Sequence, residues 1–137
     1  MVAALIDTPV WSLAYRRKPG VLRPEESKVT ATLTRLVQEE RVRVIGPIRQ
    51  EFLSGIREGA VFDRLCETLR AFEDEPLHSL DYETAALSAN RCRAAGIAGS
   101  SVDMLICAVA IRRGWMVYTT DRDFARYSKA LPLELFK

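Results

Sequence analysis

The chain has 137 residues, of which 48% are hydrophobic and 28% charged, and its net charge at pH 7 is +2. These values suit a single domain over residues 1–137 with one core, and they exclude a polycation that binds nucleic acid by bulk charge alone. The longest apolar run, residues 104–111, is far short of the ~18 residues that span a membrane, and Asp7 interrupts the first apolar run too early for a signal peptide, so we expect a cytoplasmic protein.

The cysteines and the single histidine limit the possible chemistry further. Cys66, Cys92 and Cys107 form no C-x-x-C motif, which favours reduced thiols over disulfides or a zinc site. One histidine, His78, excludes a His-rich zinc site and a two-histidine ribonuclease mechanism, and no G-x-S-x-G motif accompanies it.

Apolar strand patterns alternate with amphipathic helix patterns along the chain, which predicts an α/β fold with a mostly parallel sheet. Residues 2–6 form a continuous apolar run, typical of a strand buried on both faces. Thr8 and Pro9 then predict a helix cap and the first helical residue. The predicted elements are strand 2–6, helix 10–17, a helix from 24, strand 42–45, a helix from 47, helix 60–74, strand 77–80, a helix capped by Asp81 and ending at 95, a helix between 100 and 114, strand 115–120, a short helix to 127 and edge strand 131–136.

The helix between Ser100 and Gly114 is the most clearly marked element. Ser100 and Asp103 form an S-x-x-D capping box, and the following apolar run predicts a buried helix. Arg112 and Arg113 suit the negative end of the helix dipole, and the glycine ends the helix.

Four acids are expected at one rim of the sheet. Asp7 and Asp121 each end a predicted strand, Glu51 lies about one turn into the helix after the second strand, and Asp103 lies in the first turn of the buried helix. Sites in open α/β sheets form outside the carboxyl ends of the strands, where these side chains would meet. Asp123 is a candidate fifth member.

Such a cluster needs a compensating cation, because like charges at short range repel. Oxygen ligands without histidine or cysteine suit Mg²⁺ or Mn²⁺, which would support hydrolysis of a phosphate ester. Each acid alone also has a structural explanation as a helix cap, a turn residue or an exposed helix residue, but these explanations do not require a common rim. The basic turn of residues 16–20 is either a solvated loop or a phosphate contact near the site.

Four short motifs follow one another along the chain: residues 5–8 with Trp11, residues 47–52, residues 103–110 and residues 119–124 (T-x-D-x-D-F). With these motifs the chain resembles, over essentially its whole length, the PIN-domain ribonucleases of the VapC toxin type, whose pattern D-x-L-I-A-A-x-A is similar to residues 103–110. Residue 9 departs from the family pattern, because proline stands where members often carry a small polar residue.

The resemblance implies a three-layer α/β sandwich whose five-stranded parallel sheet, in the order 3-2-1-4-5, is flanked by helices. It implies Mg²⁺- or Mn²⁺-dependent RNA cleavage, a homodimer or a higher toxin–antitoxin assembly, and a VapB-like antitoxin that inserts a segment near the acids. Asp7 and Asp103 would be the principal catalytic metal ligands, completed by Glu51 and Asp121 directly or through water. The accessory residues would be Asp123 and Thr120, the latter positioning a water or a phosphate.

The resemblance also makes apolar helix residues candidates for dimer or antitoxin contacts, with core packing as the alternative. These residues are Trp11, Leu33, Leu36, Phe62, Leu65 and Leu69.

Two other function classes remain open at the sequence level. One is a PIN-like module that binds RNA or protein without cutting, for which four mutually repelling acids have no evident use. The other is a Mg²⁺-dependent phosphatase or receiver domain. The phosphatase motif needs Asp-x-Asp where this chain has Asp7-Thr8-Pro9, and Lys129 and Lys137 fit a receiver poorly.

Overall fold

A computed structural model describes the backbone of residues 1–137 and the side chains of residues 1–18 and 20–137. The described chain contains three β-strands, each followed by one or more of seven α-helices, with a short 3-10 turn at Pro19–Val21. The elements are β1 (Ala4–Ile6), α1 (Thr8–Tyr15), α2 (Pro24–Gln38), β2 (Val42–Arg43), α3 (Gly46–Leu53), α4 (Gly59–Leu69), α5 (Ser79–Ala94), α6 (Ser101–Arg113), β3 (Met116–Tyr118) and α7 (Asp123–Ala130).

The sheet is parallel and has the order β2-β1-β3, with β1 in the centre. Ala4 pairs with Val42 on one side, and Ile6 pairs with Tyr118 on the other. All three residues of β1 are fully buried, as its apolar sequence predicts for a central strand covered on both faces.

The predicted number of five strands is wrong, because regular pairing joins only three within the described chain. The outer positions hold single parallel bridges, Val44 with Asp74 and Val117 with Leu135. The order β2-β1-β3 agrees with the central part of the predicted order, but the position next to β2 is held by Asp74, from the end of the predicted helix 60–74, and not by residues 77–80. Pro132 has no N–H for a longer C-terminal strand.

The prediction of a third strand at residues 77–80 is wrong, because α5 begins there at Ser79. The Asp81 carboxylate reaches back and accepts a hydrogen bond of 2.8 Å from the N–H of His78, which is the helix cap three residues before the predicted one. At the start of the chain the cap is Asp7 rather than Thr8, because the aspartate Oδ1 accepts from the Thr8 N–H at 2.9 Å.

Helix α6 matches its prediction at both ends. The Ser100 hydroxyl accepts the Asp103 N–H at 3.0 Å, and Gly114 ends the helix in the left-handed conformation with φ of 67°. Residues 104–110 are all buried against α5 and the sheet. The helix is therefore held on its sides by the core and at its N-terminus by a hydrogen-bonded cap.

A buried ion-pair group joins the start of α5 to the end of α6. Asp81 is fully buried, and its two carboxylate oxygens contact Arg112 at 2.6 Å and Arg113 at 3.1 Å. Burial alone would raise the pKa of Asp81, but the His78 N–H and the two arginines outweigh it and hold this pKa below its usual value. We call this group the Asp81 clamp.

Most of the apolar residues that were candidates for partner contacts are buried in the core. Trp11 is buried, and its indole N–H donates to the Ile6 carbonyl at 3.1 Å, so it ties α1 to the end of β1. Phe62 is the exception and is 38% exposed. The buried members are Trp11, Leu33, Leu36, Leu65 and Leu69.

Two further sequence expectations concern the cysteines and membrane insertion. Cys66, Cys92 and Cys107 are free thiols in the structure, the last two of them buried. Among the described residues, no helix has both the length and the apolarity to cross a bilayer.

Candidate active site

Asp7 is the innermost acid of the rim. Its N–H donates to the Tyr118 carbonyl at 3.0 Å, so the pairing of β1 with β3 continues one residue past the strand end. Only 3% of Asp7 is exposed. Its Oδ1 is the acceptor that caps α1, and its Oδ2 accepts the Thr119 hydroxyl at 2.8 Å. The carboxylate is therefore fixed by one hydrogen bond to each oxygen.

Burial raises the pKa of Asp7 from 3.8 to about 6, although the hydrogen bonds from Thr119 and Thr8 oppose the rise. The negative charges of Asp103 and Glu51 raise it further. This mutual effect shows that residues from β1, α3 and α6 lie within electrostatic reach of one another, as the sequence predicts.

Asp103 is half-buried in the first turn of α6. Its Oδ2 accepts a 2.6 Å hydrogen bond from the Tyr127 hydroxyl, and its N–H is held by Ser100. Burial raises its pKa, and the charges of Asp121 and Glu51 act in the same direction against the hydrogen bonds. Asp121, the fourth acid, therefore belongs to the same group as Asp7, Glu51 and Asp103.

The turn after β3 is organised by Thr119, a residue that the sequence analysis does not single out. The Thr119 hydroxyl donates to Asp7 and accepts the Asp121 N–H at 3.0 Å, so one side chain links two of the acids. The signal was its spacing of two residues before Asp121, which suits a hydroxyl that closes a local turn. Thr120 is exposed, and no hydrogen bond joins it to the acids within the described side chains.

Asp123, the proposed accessory acid, lies at the edge of the group. Its N–H donates to Asp121 Oδ1 at 2.9 Å, which fixes the Asp121 carboxylate. Its own carboxylate is exposed and pairs with Arg126 at 3.8 Å. The backbone of Asp123 therefore contributes more to the arrangement of the acids than its side chain does.

Glu51 projects from α3 and is exposed. The helix is held at its start by Arg49, whose guanidinium pairs with Asp74 at 2.9 Å and donates to the Leu69 carbonyl at 3.1 Å. This contact ties α3 to the chain that follows α4, and it places Glu51 where its charge acts on Asp7 and Asp103.

The donor chemistry of the four acids fits a hard divalent cation. No arginine or lysine with a described side chain lies within 4 Å of any of these carboxylates, so their repulsion has no protein counter-charge. All the donors are oxygen, as Mg²⁺ and Mn²⁺ prefer. No three such side chains among the described residues are already gathered closely enough to hold a metal ion.

A groove with a cavity volume of about 780 Å³ lies between α1 and α2 and includes Thr120 and Arg122, the sequence neighbours of Asp121. Arg17 and Arg23 in its wall pair with Glu26 at 3.7 and 3.3 Å. Arg16 and Arg122 have no carboxylate within 4 Å in the described part of the chain, which leaves two cations for an anionic ligand. The lining residues are Pro9, Ser12, Leu13, Arg16, Arg17, Arg23, Glu25, Glu26, Val29, Thr120 and Arg122.

Comparison with known sequences gives one family and a small set of relatives. Residues 4–130 match the PIN domain family. Ribonuclease VapC11 of Mycobacterium tuberculosis and VapC ribonuclease Mb1587 of Mycobacterium bovis are each 32% identical over 126 residues. Each match covers 88% of this chain and 87% of the relative.

Comparison with solved structures gives the same fold. The structure of FitAcB from Neisseria gonorrhoeae matches with a TM-score of 0.75 and 21% identity, covering 98% of this chain and 96% of that one. VapBC-5 from Mycobacterium tuberculosis, a member of the VapBC family of toxin–antitoxin systems, matches with a TM-score of 0.69 and 20% identity over 100% and 99% of the two chains. By sequence match and by fold, the chain belongs to the PIN-domain family, with VapC ribonucleases among its relatives.

Proposed function

We propose that this protein is a Mg²⁺- or Mn²⁺-dependent endoribonuclease that hydrolyses RNA phosphodiester bonds as the toxin of a VapBC-like pair. The observation that carries the proposal is the group of four acids from four segments at one rim, with Asp7 buried and without a basic partner. The names of the sequence relatives support the same activity.

The acids have distinct roles in this proposal. Asp7 and Asp103 are the principal metal ligands, since both are fixed by hydrogen bonds, and Glu51 and Asp121 complete the shell directly or through water. A bound divalent cation would lower the pKa of a water and neutralise charge on a phosphate oxygen. Thr119 holds Asp7 in place throughout. Thr120 and Asp123, both exposed, are accessory groups at the rim.

The arginine-lined groove would take the RNA backbone beside the scissile phosphate. Arg122 directly follows Asp121, and Arg16, at the C-terminal end of α1, lines the same groove. Guanidinium groups bind phosphates with paired hydrogen bonds. Leu13 and Val29 add apolar surface to the same groove, which a base can cover.

The proposed partners follow from the family. The structural neighbours include VapBC and FitAB complexes, three of them solved with bound DNA, and we propose a VapB-like antitoxin for this chain. We also propose that the protein forms a homodimer or a higher toxin–antitoxin assembly, and that residues 1–137 act as one domain. A cytoplasmic location would suit the three free cysteines.

A non-catalytic PIN-like module that binds RNA or protein is the second candidate. One observation favours it: the four carboxylates are near one another, but no three described side chains already form a metal site. In that case the acids would be structural and a divalent ion would not bind them.

RNA cleavage and metal binding by the purified protein separate the two candidates. Structured RNA is incubated with Mn²⁺ or Mg²⁺, with EDTA, and with the Asp103→Asn variant, which removes one charge while nearly preserving shape. Asp63→Asn, at an exposed site on α4, is the matched control. We expect cleavage to fall about 100-fold or more with EDTA or Asp103→Asn and to persist in the control. Folded protein that neither binds Mn²⁺ nor cuts RNA would favour the binding module.

A further inference from the structure

Tyr127 is a fully buried tyrosine whose hydroxyl contacts a candidate metal ligand. The side chain comes from α7 and is 1% exposed, and its hydroxyl donates to Asp103 Oδ2 at 2.6 Å. Asp103 lies 24 residues earlier on a different helix. The hydrogen bond therefore joins α6 to α7 through residues that are far apart in the sequence.

Packing fixes the ring of Tyr127 on two sides. The Phe124 ring lies at 5.1 Å in an edge-on arrangement. On the other side is the loop before α6, where a Cβ added at Gly99 would come within 2.6 Å of the Met104 methyl and 3.1 Å of the Tyr127 ring. The tyrosine thus has little freedom to move, and its hydroxyl is held at a defined place beside Asp103.

Filling the core does not require the hydroxyl. Phe124 is equally buried on the same helix and contributes only apolar surface. A buried hydroxyl that donates to a carboxylate costs desolvation of both groups, which the fold must offset elsewhere. A phenylalanine at 127 would keep the ring contacts and leave Asp103 Oδ2 without this donor.

We propose that Tyr127 is a positioning residue that holds the Asp103 carboxylate in the orientation needed to bind a divalent cation. The hydroxyl of Tyr127 occupies Oδ2 and Ser100 holds the N–H of the same residue, so the orientation of the carboxylate that would meet a cation is already set. This inference rests on the proposed metal-dependent function. Hydrogen-bond partners of metal ligands fix ligand orientation, and their removal lowers metal affinity by about 10- to 100-fold.

The test compares two tyrosine-to-phenylalanine variants by their affinity for Mn²⁺, measured by titration with electron paramagnetic resonance. Tyr127→Phe removes the hydroxyl from Asp103. Tyr118→Phe is the matched control. The Tyr118 side chain is also buried, but its hydroxyl donates to the Val29 carbonyl at 3.2 Å and not to an acid. We expect about ten-fold weaker Mn²⁺ binding in Tyr127→Phe and an unchanged affinity in Tyr118→Phe.

The outcomes separate this inference from the proposed function. If the wild type binds Mn²⁺ and Asp103→Asn does not, the metal site stands, and an unchanged affinity in Tyr127→Phe then overturns the positioning role alone. Equal losses in both tyrosine variants would also overturn it, since they would report a general loss of packing. A wild type that binds no Mn²⁺ contradicts both proposals.

If Tyr127→Phe does not unfold cooperatively, a second variant tests the positioning role of Tyr127. Gly99→Ala keeps the hydroxyl but pushes the Met104 methyl and the Tyr127 ring. We expect a several-fold loss of Mn²⁺ affinity in a protein that remains folded. An unchanged affinity in this variant would count against the positioning role.

Discussion

Replacing Asp7 with asparagine is expected to stabilise the metal-free protein, and more so at high pH than at low pH. The side chain is 3% exposed and burial raises its pKa from 3.8 to about 6. Because the folded pKa is the higher one, the stability that the protonated group provides is complete below pH 3.8 and is lost as the pH rises through 6. Asparagine has no charge to lose.

The size of the effect follows from the two pKa values. A rise from 3.8 to about 6 corresponds to about 3 kcal/mol at ~1.4 kcal/mol per pKa unit. Roughly half of this is already lost at pH 5, which lies midway between the two values, so about 1.5 kcal/mol remains to be lost between pH 5 and pH 8. In a domain of this size that corresponds to about 5 °C in Tm.

Thermal unfolding of both proteins in EDTA at pH 5 and pH 8 provides the assay. The Tm of Asp7→Asn minus that of the wild type should be about 5 °C larger at pH 8 than at pH 5. Asparagine can still accept from the Thr8 N–H and donate to Thr119, so the local hydrogen bonds are kept. A difference that does not change with pH would refute the assignment of a raised pKa to Asp7. Excess Mn²⁺ should reverse the order by stabilising the wild type, by about 2.7 kcal/mol at 100 times its Kd.

Three further changes test other contacts. Thr119→Val should weaken Mn²⁺ binding about ten-fold, because it frees Asp7 Oδ2, whereas Thr119→Ser should keep the affinity; equal affinities in the two would contradict the role of the hydroxyl. Combined Arg16→Ala and Arg122→Ala should lower the slope of log K against log salt for single-stranded RNA by about 1.4, at ~0.7 per phosphate contact. The exposed-site control Arg64→Ala should leave that slope unchanged, and a double variant with the wild-type slope would exclude the groove. Asp81→Asn should cost about 2 kcal/mol in urea unfolding, because Arg112 and Arg113 lose charge-assisted hydrogen bonds to the buried carboxylate.

Local signals explain which parts of the structure could be predicted from the sequence. The apolar run of β1 and the cap and end of α6 are properties of short stretches, and both are confirmed. The meeting of Asp7 with Asp103 follows from the general rule that parallel strands end at one rim, and the structure places their charges within reach of each other.

Contacts that depend on the whole fold were not predictable in the same way. Nothing near Asp103 in the sequence indicates that Tyr127 donates to it, because the contact depends on how α7 packs. The sequence gives no sign that Thr119 contacts the acids, since β3 is only three residues long and the alternation of faces gives little guidance at its end. The segment before α5 looks like a strand by composition, but the Asp81 carboxylate starts a helix there.

The Asp81 clamp fixes the C-terminal end of α6, the end opposite to Asp103. Arg112 lies nine residues after Asp103, a separation of about 13 Å along the axis at ~1.5 Å per residue. At that length a tilt of about 2° at the clamp would move Asp103 by roughly 0.5 Å, which is already the tolerance of a productive site. A fully buried carboxylate, Asp81, therefore restrains the orientation of a helix whose opposite end carries a candidate metal ligand.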